Sequence, residues 1–202
     1  MSFHALIIAG GQGRRLGGVR KADIRIGGKR LIERVAERLE GAAHTRQVAT
    51  GPVQDEWLLP QGWAQVSDLA ERPGGPLAGL VAAVAALQEQ GVREGILVTA
   101  AVDTPFLPQD YVTRLVEALG GAPVAFGAWG HSFYPPNAAW RLETIAHLPE
   151  KIAEVESLRM LQTMLGGKRV AWDESADNPF DNINTPEDLE AMEQRARRLA
   201  GL

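Results

Sequence analysis

The chain contains no cysteine among its 202 residues. This absence excludes a disulfide framework, thiolate catalysis and cysteine-ligated metal, and it is typical of proteins from a reducing compartment. No apolar run approaches the roughly 18–20 residues that a membrane span requires. The apolar run near the N-terminus is short and leads into glycines, unlike a signal peptide. We therefore expect a cytoplasmic protein that does not bind membranes.

Positive charge is not in excess either. The 21 Lys and Arg residues face 25 Asp and Glu residues, which gives a formal net charge of −4. A nucleic-acid surface needs a basic stripe, so this balance argues against one, while an anionic small substrate remains compatible. We find no linker, internal repeat or low-complexity tract. The length therefore predicts a single domain over residues 1–202.

Strand-like apolar runs alternate with helix-like segments along the chain. The predicted strands are residues 3–9, 22–26, 46–50, 63–66, 95–102 and 123–126. The predicted helices are residues 31–39, 77–87, 111–119 and 186–199, and residues 138–167 are expected to be largely helical. This alternation predicts an α/β fold, a three-layer α/β/α sandwich with a mostly parallel central sheet. Ligands of such folds bind beyond the carboxyl ends of the strands.

The first predicted strand leads into a glycine-rich loop. Residues 10–18 read GGQGRRLGG, and Lys21 follows shortly after. Glycine allows main-chain N–H groups to approach an anion, and Arg14, Arg15 and Lys21 supply the charge that phosphate needs. The loop lacks the Gly-Lys-Ser/Thr of a Walker motif, and Leu16 stands where a dinucleotide fingerprint has its third glycine. We favour a phosphate site over a flexible turn with solvated basic residues.

Two aspartates follow predicted strands at the same edge of the sheet. Asp103 comes directly after the central strand, where a carboxylate can hold Mg2+ while phosphates fill the remaining positions. The alternative role for Asp103 is to cap the next helix. Asp68 precedes the Pro- and Gly-rich residues 72–79, which form either a loop that closes on a ligand or a rigid surface turn. Composition does not decide between the closing loop and the rigid surface turn.

A third group lies near the C-terminus. Asn182 and Asn184 are two positions apart, so on an extended segment they point the same way and are candidates for ligand contact. Thr185 is predicted to cap the last helix. The irregular residues 127–136 are interpreted as an insertion that covers a second substrate. Within them, His131 is either a substrate contact or a plain surface residue.

Taken together, these elements resemble the nucleotidyltransferase superfamily, and most closely the molybdenum cofactor guanylyltransferases. Two positions depart from the family's usual pattern. Arg20 stands where an aspartate usually precedes the lysine, and Gly51 stands near a position that is often asparagine. The matching pieces cover nearly the whole chain and are Ile8-Ala9-Gly10-Gly11-x-x-Arg14-Arg15-Leu16-Gly17-Gly18-x-x-Lys21, Asp68 before Gly75-Pro76-Leu77-Ala78-Gly79, Asp103-Thr104-Pro105, and Asn182-Ile183-Asn184-Thr185-Pro186.

The resemblance implies a Rossmann-like nucleotidyltransferase fold and transfer of GMP from GTP to Mo-molybdopterin, which releases pyrophosphate. Arg15, Lys21 and Asp103 would be catalytic, with Asp103 holding Mg2+. Asn182 and Asn184 would lie on the pterin side. GTP would be bound by Ile8, Ala9, Gly10, Gly11, Gly13, Lys21, Asp68 and Asp103.

The resemblance also implies transient contacts with proteins that deliver molybdopterin and that mature molybdoenzymes. Three alternatives remain open. The enzyme could transfer a cytidylyl group to the same pterin, or it could activate a sugar phosphate or polyol phosphate. The third alternative is a nucleotide-binding adaptor without catalysis.

Overall fold

A computed structural model gives the fold, and it describes residues 2–13, 16–52, 56–69, 74–151 and 155–201. The strands are β1 (Phe3–Ile8), β2 (Gln12–Gly13), β3 (Val19–Arg20), β4 (Arg25–Ile26), β5 (Lys29–Arg30), β6 (Thr45–Ala49), β7 (Ala64–Val66), β8 (Ile96–Ala101), β9 (Val124–Trp129), β10 (Ser132–Arg141) and β11 (Lys168–Ala171). The helices are α1 (Leu31–Leu39), α2 (Pro76–Glu89), α3 (Tyr111–Leu119), α4 (Leu142–Ile145), α5 (Leu148–Lys151), α6 (Leu158–Met164) and α7 (Pro186–Leu199).

Seven strands form the central sheet, in the order β11-β9-β10-β8-β1-β6-β7. Strand β10 is antiparallel to both of its neighbours, and every other pairing in this sheet is parallel. The predicted α/β fold with a mostly parallel sheet is confirmed. The carboxyl ends of β7, β6, β1 and β8 therefore meet at one edge, and the residues that follow these strands become neighbours in space.

Helices cover both faces of the sheet. Along β1, Ala5 and Ile7 belong to one apolar cluster and Leu6 to another, because successive side chains of a strand point to opposite faces. The first cluster takes in α1, α3 and α7, and the second takes in α2, α4, α5 and α6. This is the three-layer arrangement that the sequence predicts. No helix in the described part of the chain is both long and apolar enough to span a bilayer.

Helix α2 packs so closely on the sheet that its N-terminus comes to lie at the carboxyl edge. Its residues Leu77 to Val84 are all buried, which suits a helix rich in alanine that has neighbours on several sides. At Gly79 an added Cβ would lie 2.8 Å from the Cβ of Ala49 on β6, so only glycine permits this separation. The helix begins at Pro76, directly after Gly75, whose φ is 91°.

Three segments differ from the sequence prediction. Within the predicted strand 22–26 only β4 is extended, and a 3-10 turn occupies Lys21–Asp23. The stretch 127–136, interpreted as an irregular insertion, is instead most of a β-hairpin formed by β9 and β10. The segment 138–167 is helical only after Arg141, because β10 continues to that residue before the short helices begin.

Candidate active site

A cavity of about 550 Å³ opens at the carboxyl edge of the sheet. Its lining includes residues that follow β1, β6, β7 and β8, the start of α2 and part of β10. Of the residues that the sequence singles out, the lining includes Ile8, Gly10, Gly11, Lys21, Asp68, Asp103 and Asn182. Ala9 is 1% exposed and lies beneath the surface of the cavity, and Gly13 belongs to β2, outside the lining. Arg14 and Arg15 lie outside the described residues.

The glycines after β1 and β6 allow two loops to approach at main-chain distance. A Cβ added at Gly10 would lie 3.1 Å from both the Cα and the N of Gly51. Gly51 has a φ of +81°, a conformation that favours glycine. A larger residue in place of Gly51 would strain this contact, because its Cβ would lie 3.3 Å from the Gly10 Cα. Gly10 and Gly11 are themselves exposed, so their main chain faces the cavity.

Lys21 is the centre of the polar contacts in the cavity. Its Nζ donates to Asp103 Oδ2 at 2.7 Å and to Asn184 Oδ1 at 2.6 Å. The Lys21 and Asp103 side chains are 12% and 18% exposed, so this ion pair is largely withdrawn from water. Residues from the start, the middle and the end of the chain therefore meet at one ammonium group.

Arg20 lies next to Lys21 but points elsewhere. Its Nε donates to Asp23 Oδ2 at 3.0 Å, and its guanidinium lies over the Trp57 ring, 4.9 Å from the centroid. Arg20 is not part of the cavity lining. The reversal of charge at this position therefore does not place a second cation against Lys21. The positive charge of Arg20 is instead paired with Asp23, which lies in the 3-10 turn that follows Arg20.

Asp68 stands at the far side of the cavity, after β7. Its backbone N–H donates to Gly51 O at 3.1 Å, and its Oδ2 accepts from Gly74 N at 3.2 Å. Burial raises the pKa of the Asp68 carboxyl above its ordinary value, while the hydrogen bond from Gly74 opposes that rise. The side chain thus ties the loop before α2 to the sheet edge and still lines the cavity.

Asp103 lies in a turn and does not cap a helix. Its neighbour Thr104 donates from Oγ1 to Ala101 O at 2.8 Å, which folds the chain back on the end of β8. The next helix, α3, begins only at Tyr111. The helix-cap alternative for Asp103 is therefore wrong, and its carboxylate is directed to Lys21 instead.

The two asparagines near the C-terminus lie on either side of a buried anchor. Ile183 is fully buried, Asn182 lines the cavity and Asn184 reaches Lys21. Thr185 and Asp188 form a capping box at the start of α7, as predicted for Thr185. The N–H of Asn184 donates to Asp188 Oδ2 at 2.8 Å, and this bond is the main reason that the pKa of Asp188 is lowered.

Three aromatic residues that the sequence did not single out individually line one side of the cavity, and two of them lie in the stretch 127–136 that was interpreted as covering a second substrate. They are Phe133, Tyr134 and Phe180, and the last two rings stack with centroids 5.0 Å apart. The signal was present in Pro135 and Pro136, since two prolines within a strand mark an irregular ladder. The β9–β10 register shifts at this point, between Tyr134 and Ala138. His131 is exposed at the hairpin turn and does not line the cavity.

The donor set in the cavity suits a hard cation held jointly with a ligand. Among the described residues no three His, Cys, Asp or Glu side chains cluster as a metal site. The cavity instead offers single carboxylates, those of Asp68 and Asp103, together with amide oxygens. Mg2+ in nucleotide sites is typically held by one or two carboxylates and by phosphate oxygens, so Asp103 fits that role.

Comparison with solved structures defines the class. The structure described as molybdopterin-guanine dinucleotide biosynthesis protein A from Archaeoglobus fulgidus aligns with a TM-score of 0.71, covering 96% of this chain and 99% of that one at 23% identity. A 4-diphosphocytidyl-2C-methyl-D-erythritol synthase from Anaerococcus prevotii gives a TM-score of 0.70, covering 98% and 96% at 15% identity. A family model for the MobA-like NTP transferase domain matches residues 5–170. The fold is thus that of the nucleotidyltransferases.

Proteins that are similar in sequence identify the family within this class. A molybdenum cofactor guanylyltransferase from Rhodobacter capsulatus is 36% identical, covering 99% of this chain and all of the relative. Another from Cereibacter sphaeroides is 34% identical and covers 98% of this chain and 99% of its own length. The chain belongs to the molybdenum cofactor guanylyltransferase family.

Proposed function

We propose that the protein transfers GMP from GTP to Mo-molybdopterin, giving Mo-molybdopterin guanine dinucleotide and pyrophosphate. The observation that carries this proposal is the contact of Lys21 with both Asp103 and Asn184, at the cavity that Lys21 and Asp103 line. That contact joins the glycine loop, the carboxylate after the central strand and the C-terminal asparagines. The similarity to named guanylyltransferases along the whole chain supports the choice of substrates.

The nucleotide half of the proposed site lies over β1, β6 and β7. Ile8, Gly10 and Gly11 line it and offer main-chain groups to the guanine and the phosphates. We assign Ala9 and Gly13 to the support of this loop. Asp68 is partly buried and accepts hydrogen bonds, so it suits the hydroxyl or N–H groups of the nucleoside.

The acceptor half lies on the other side of Asp103. Phe133, Tyr134 and Phe180 give it a flat apolar wall, which suits a planar pterin. Asn182 lines the same wall and carries both donor and acceptor atoms for the polar edges of such a ring. Asn184 holds Lys21 at the junction of the two halves.

The chemistry requires positioning more than a protein nucleophile. An oxygen of the acceptor's terminal phosphate attacks the α-phosphorus of GTP and forms a new P–O bond. The bond from the α-phosphorus to the bridging oxygen breaks, and pyrophosphate leaves with the electron pair. We assign Lys21 to the stabilisation of negative charge on the phosphoryl oxygens, an effect that its burial would strengthen. We also expect Arg15 to contribute charge.

We propose Mg2+ as the metal, with Asp103 as its protein ligand. A bound Mg2+ would neutralise charge on the phosphates and orient them. The ammonium of Lys21 contacts one oxygen of Asp103, and the other oxygen would be the ligand of a cation that arrives with the nucleotide. We further propose that the reaction takes place in the cytoplasm, with transient contacts to proteins that supply molybdopterin and receive the product.

The test is pyrophosphate release by the purified protein with Mg2+, Mo-molybdopterin and each of the four nucleoside triphosphates in turn. We expect release with GTP. Release with CTP alone would assign the protein to cytidylyl transfer, and no release with any nucleotide would favour the adaptor. Omitting the pterin is the control, because release without an acceptor would indicate hydrolysis.

A further inference from the structure

Asn137 is a buried polar residue of the cavity for which no role has yet been given. It lies on β10 and is 1% exposed. Its Oδ1 accepts from Ala101 N at 3.0 Å and is 3.4 Å from Thr104 Oγ1. The amide oxygen therefore takes the place of a main-chain carbonyl at the end of the β8–β10 ladder, where Ala101 pairs with Ile8 on β1 but has no partner residue on β10.

This contact fixes the orientation of the amide. A backbone N–H can only donate, so the atom beside Ala101 N must be the oxygen, and Nδ2 projects in the other direction. No partner for Nδ2 is found in the part of the chain that the structure describes. Several side-chain atoms of the described residues are fully buried and lack a hydrogen bond, but Nδ2 is not one of them. Because Asn137 lines the cavity, its two N–H groups face that space.

The order of the strands places Asn137 on the acceptor side. Asp103 follows β8, the glycine loop follows β1 on one side of it, and β10 lies on the other. Adjacent strands are about 4.8 Å apart. Asn137 is therefore one strand beyond Asp103, on the side opposite the glycine loop and next to the aromatic wall.

We propose that Asn137 Nδ2 donates a hydrogen bond to the terminal phosphate of the acceptor and so holds it for attack; this inference rests on the proposed function. The N–H groups of Nδ2 have no protein acceptor among the described residues, and a phosphate oxygen in the cavity is a strong acceptor for them. The contact sets the position of the attacking group and does not touch the nucleotide. Its loss should therefore affect the two substrates unequally.

Two variants test the contact. Asn137→Asp keeps an oxygen for the N–H of Ala101 but replaces the donor with an anionic oxygen that repels phosphate. Asn137→Ala removes the donor without adding charge. We expect KM for Mo-molybdopterin to rise at least about 10-fold in each, the low end for a hydrogen bond to a charged group, and more in Asn137→Asp. KM for GTP should stay within about twofold of the wild type.

Asp68→Asn is the reciprocal control, because it lies in the nucleotide half and should raise KM for GTP and not KM for the acceptor. Thermal unfolding establishes that each variant is folded, and GTP binding by calorimetry checks that the nucleotide half is intact in the two Asn137 variants. If the wild type turns over and both Asn137 variants keep the wild-type KM for the acceptor, the inference is wrong and the proposed function stands.

Calorimetric binding of Mo-molybdopterin alone gives a readout that needs no turnover. We expect weaker binding to Asn137→Ala than to the wild type. Equal binding to the two proteins would overturn the inference even if the wild type released no pyrophosphate. Failure of the proposed function and failure of this contact are thereby distinguished.

Discussion

Replacing Lys21 by methionine removes the charge on which the proposed site converges while keeping most of the side-chain volume. Lys21 Nζ has two oxygen partners, at 2.7 and 2.6 Å, and its side chain is only 12% exposed. Water therefore has little access to take over its role. A hydrogen bond to a charged group contributes about 1.5–3 kcal/mol, so we expect a loss of at least about 2 kcal/mol in transition-state stabilisation.

That loss corresponds to a fall of about 30-fold or more in kcat/KM for GTP. The assay is steady-state pyrophosphate release at saturating Mo-molybdopterin. Lys29→Met is the matched control, since Lys29 pairs with Glu37 on the surface at 2.6 Å, with side chains 44% and 56% exposed. The control should keep wild-type kinetics. A Lys21→Met enzyme within about threefold of that control would refute the assignment of Lys21 to the reacting phosphates.

Two other predictions concern the scaffold. Gly10→Ala should destabilise the protein by about 1–3 kcal/mol and raise KM for GTP, because the new Cβ meets the Gly51 main chain at 3.1 Å. Gly121→Ala, where nothing lies within 4 Å, should do neither in parallel denaturation and kinetic measurements. Stability should also fall as pH drops below about 6.5, because burial, with His44 nearby, lowers the pKa of His4 in the folded state. The unfolded chain then binds more protons. His4→Asn should reduce this slope in denaturation series across pH, and an unchanged slope would contradict it.

Segments with a strong periodic pattern could be predicted to the residue. Helices α1, α3 and α7 begin and end where the apolar spacing and the caps indicate. The α7 boundary rests on the Thr185 capping box and on Pro186 at the first position. In these segments local preference and tertiary packing favour the same structure, so the sequence alone was sufficient.

Segments in which pairing overrides local preference could not be predicted. The end of β10 contains Ala138 and Ala139, which favour helix, but pairing with β8 and β9 on both sides makes it a strand. Strand β11 is an edge strand with a single buried residue, Val170, and gives no clear alternation. A short stretch of sequence contains no information about the strands with which it will pair.

The same distinction applies to the candidate site. Residues that directly follow strands, such as Asp68 and Asp103, could be placed at one edge from the sequence, because parallel strands bring their carboxyl ends together. The direction of the Arg20 side chain could not be predicted, since it depends on contacts with Trp57 and Asp23. The role proposed for Asn137 could not be predicted either, because it depends on the register shift in β10.

The most direct test of the central claim follows the α-phosphate itself. The protein is incubated with Mg2+, Mo-molybdopterin and GTP labelled at the α-phosphate, and the products are separated. The account predicts that the label moves into a pterin dinucleotide while unlabelled pyrophosphate is released. Label that stays in GTP, or that leaves as free GMP without a pterin product, would contradict it.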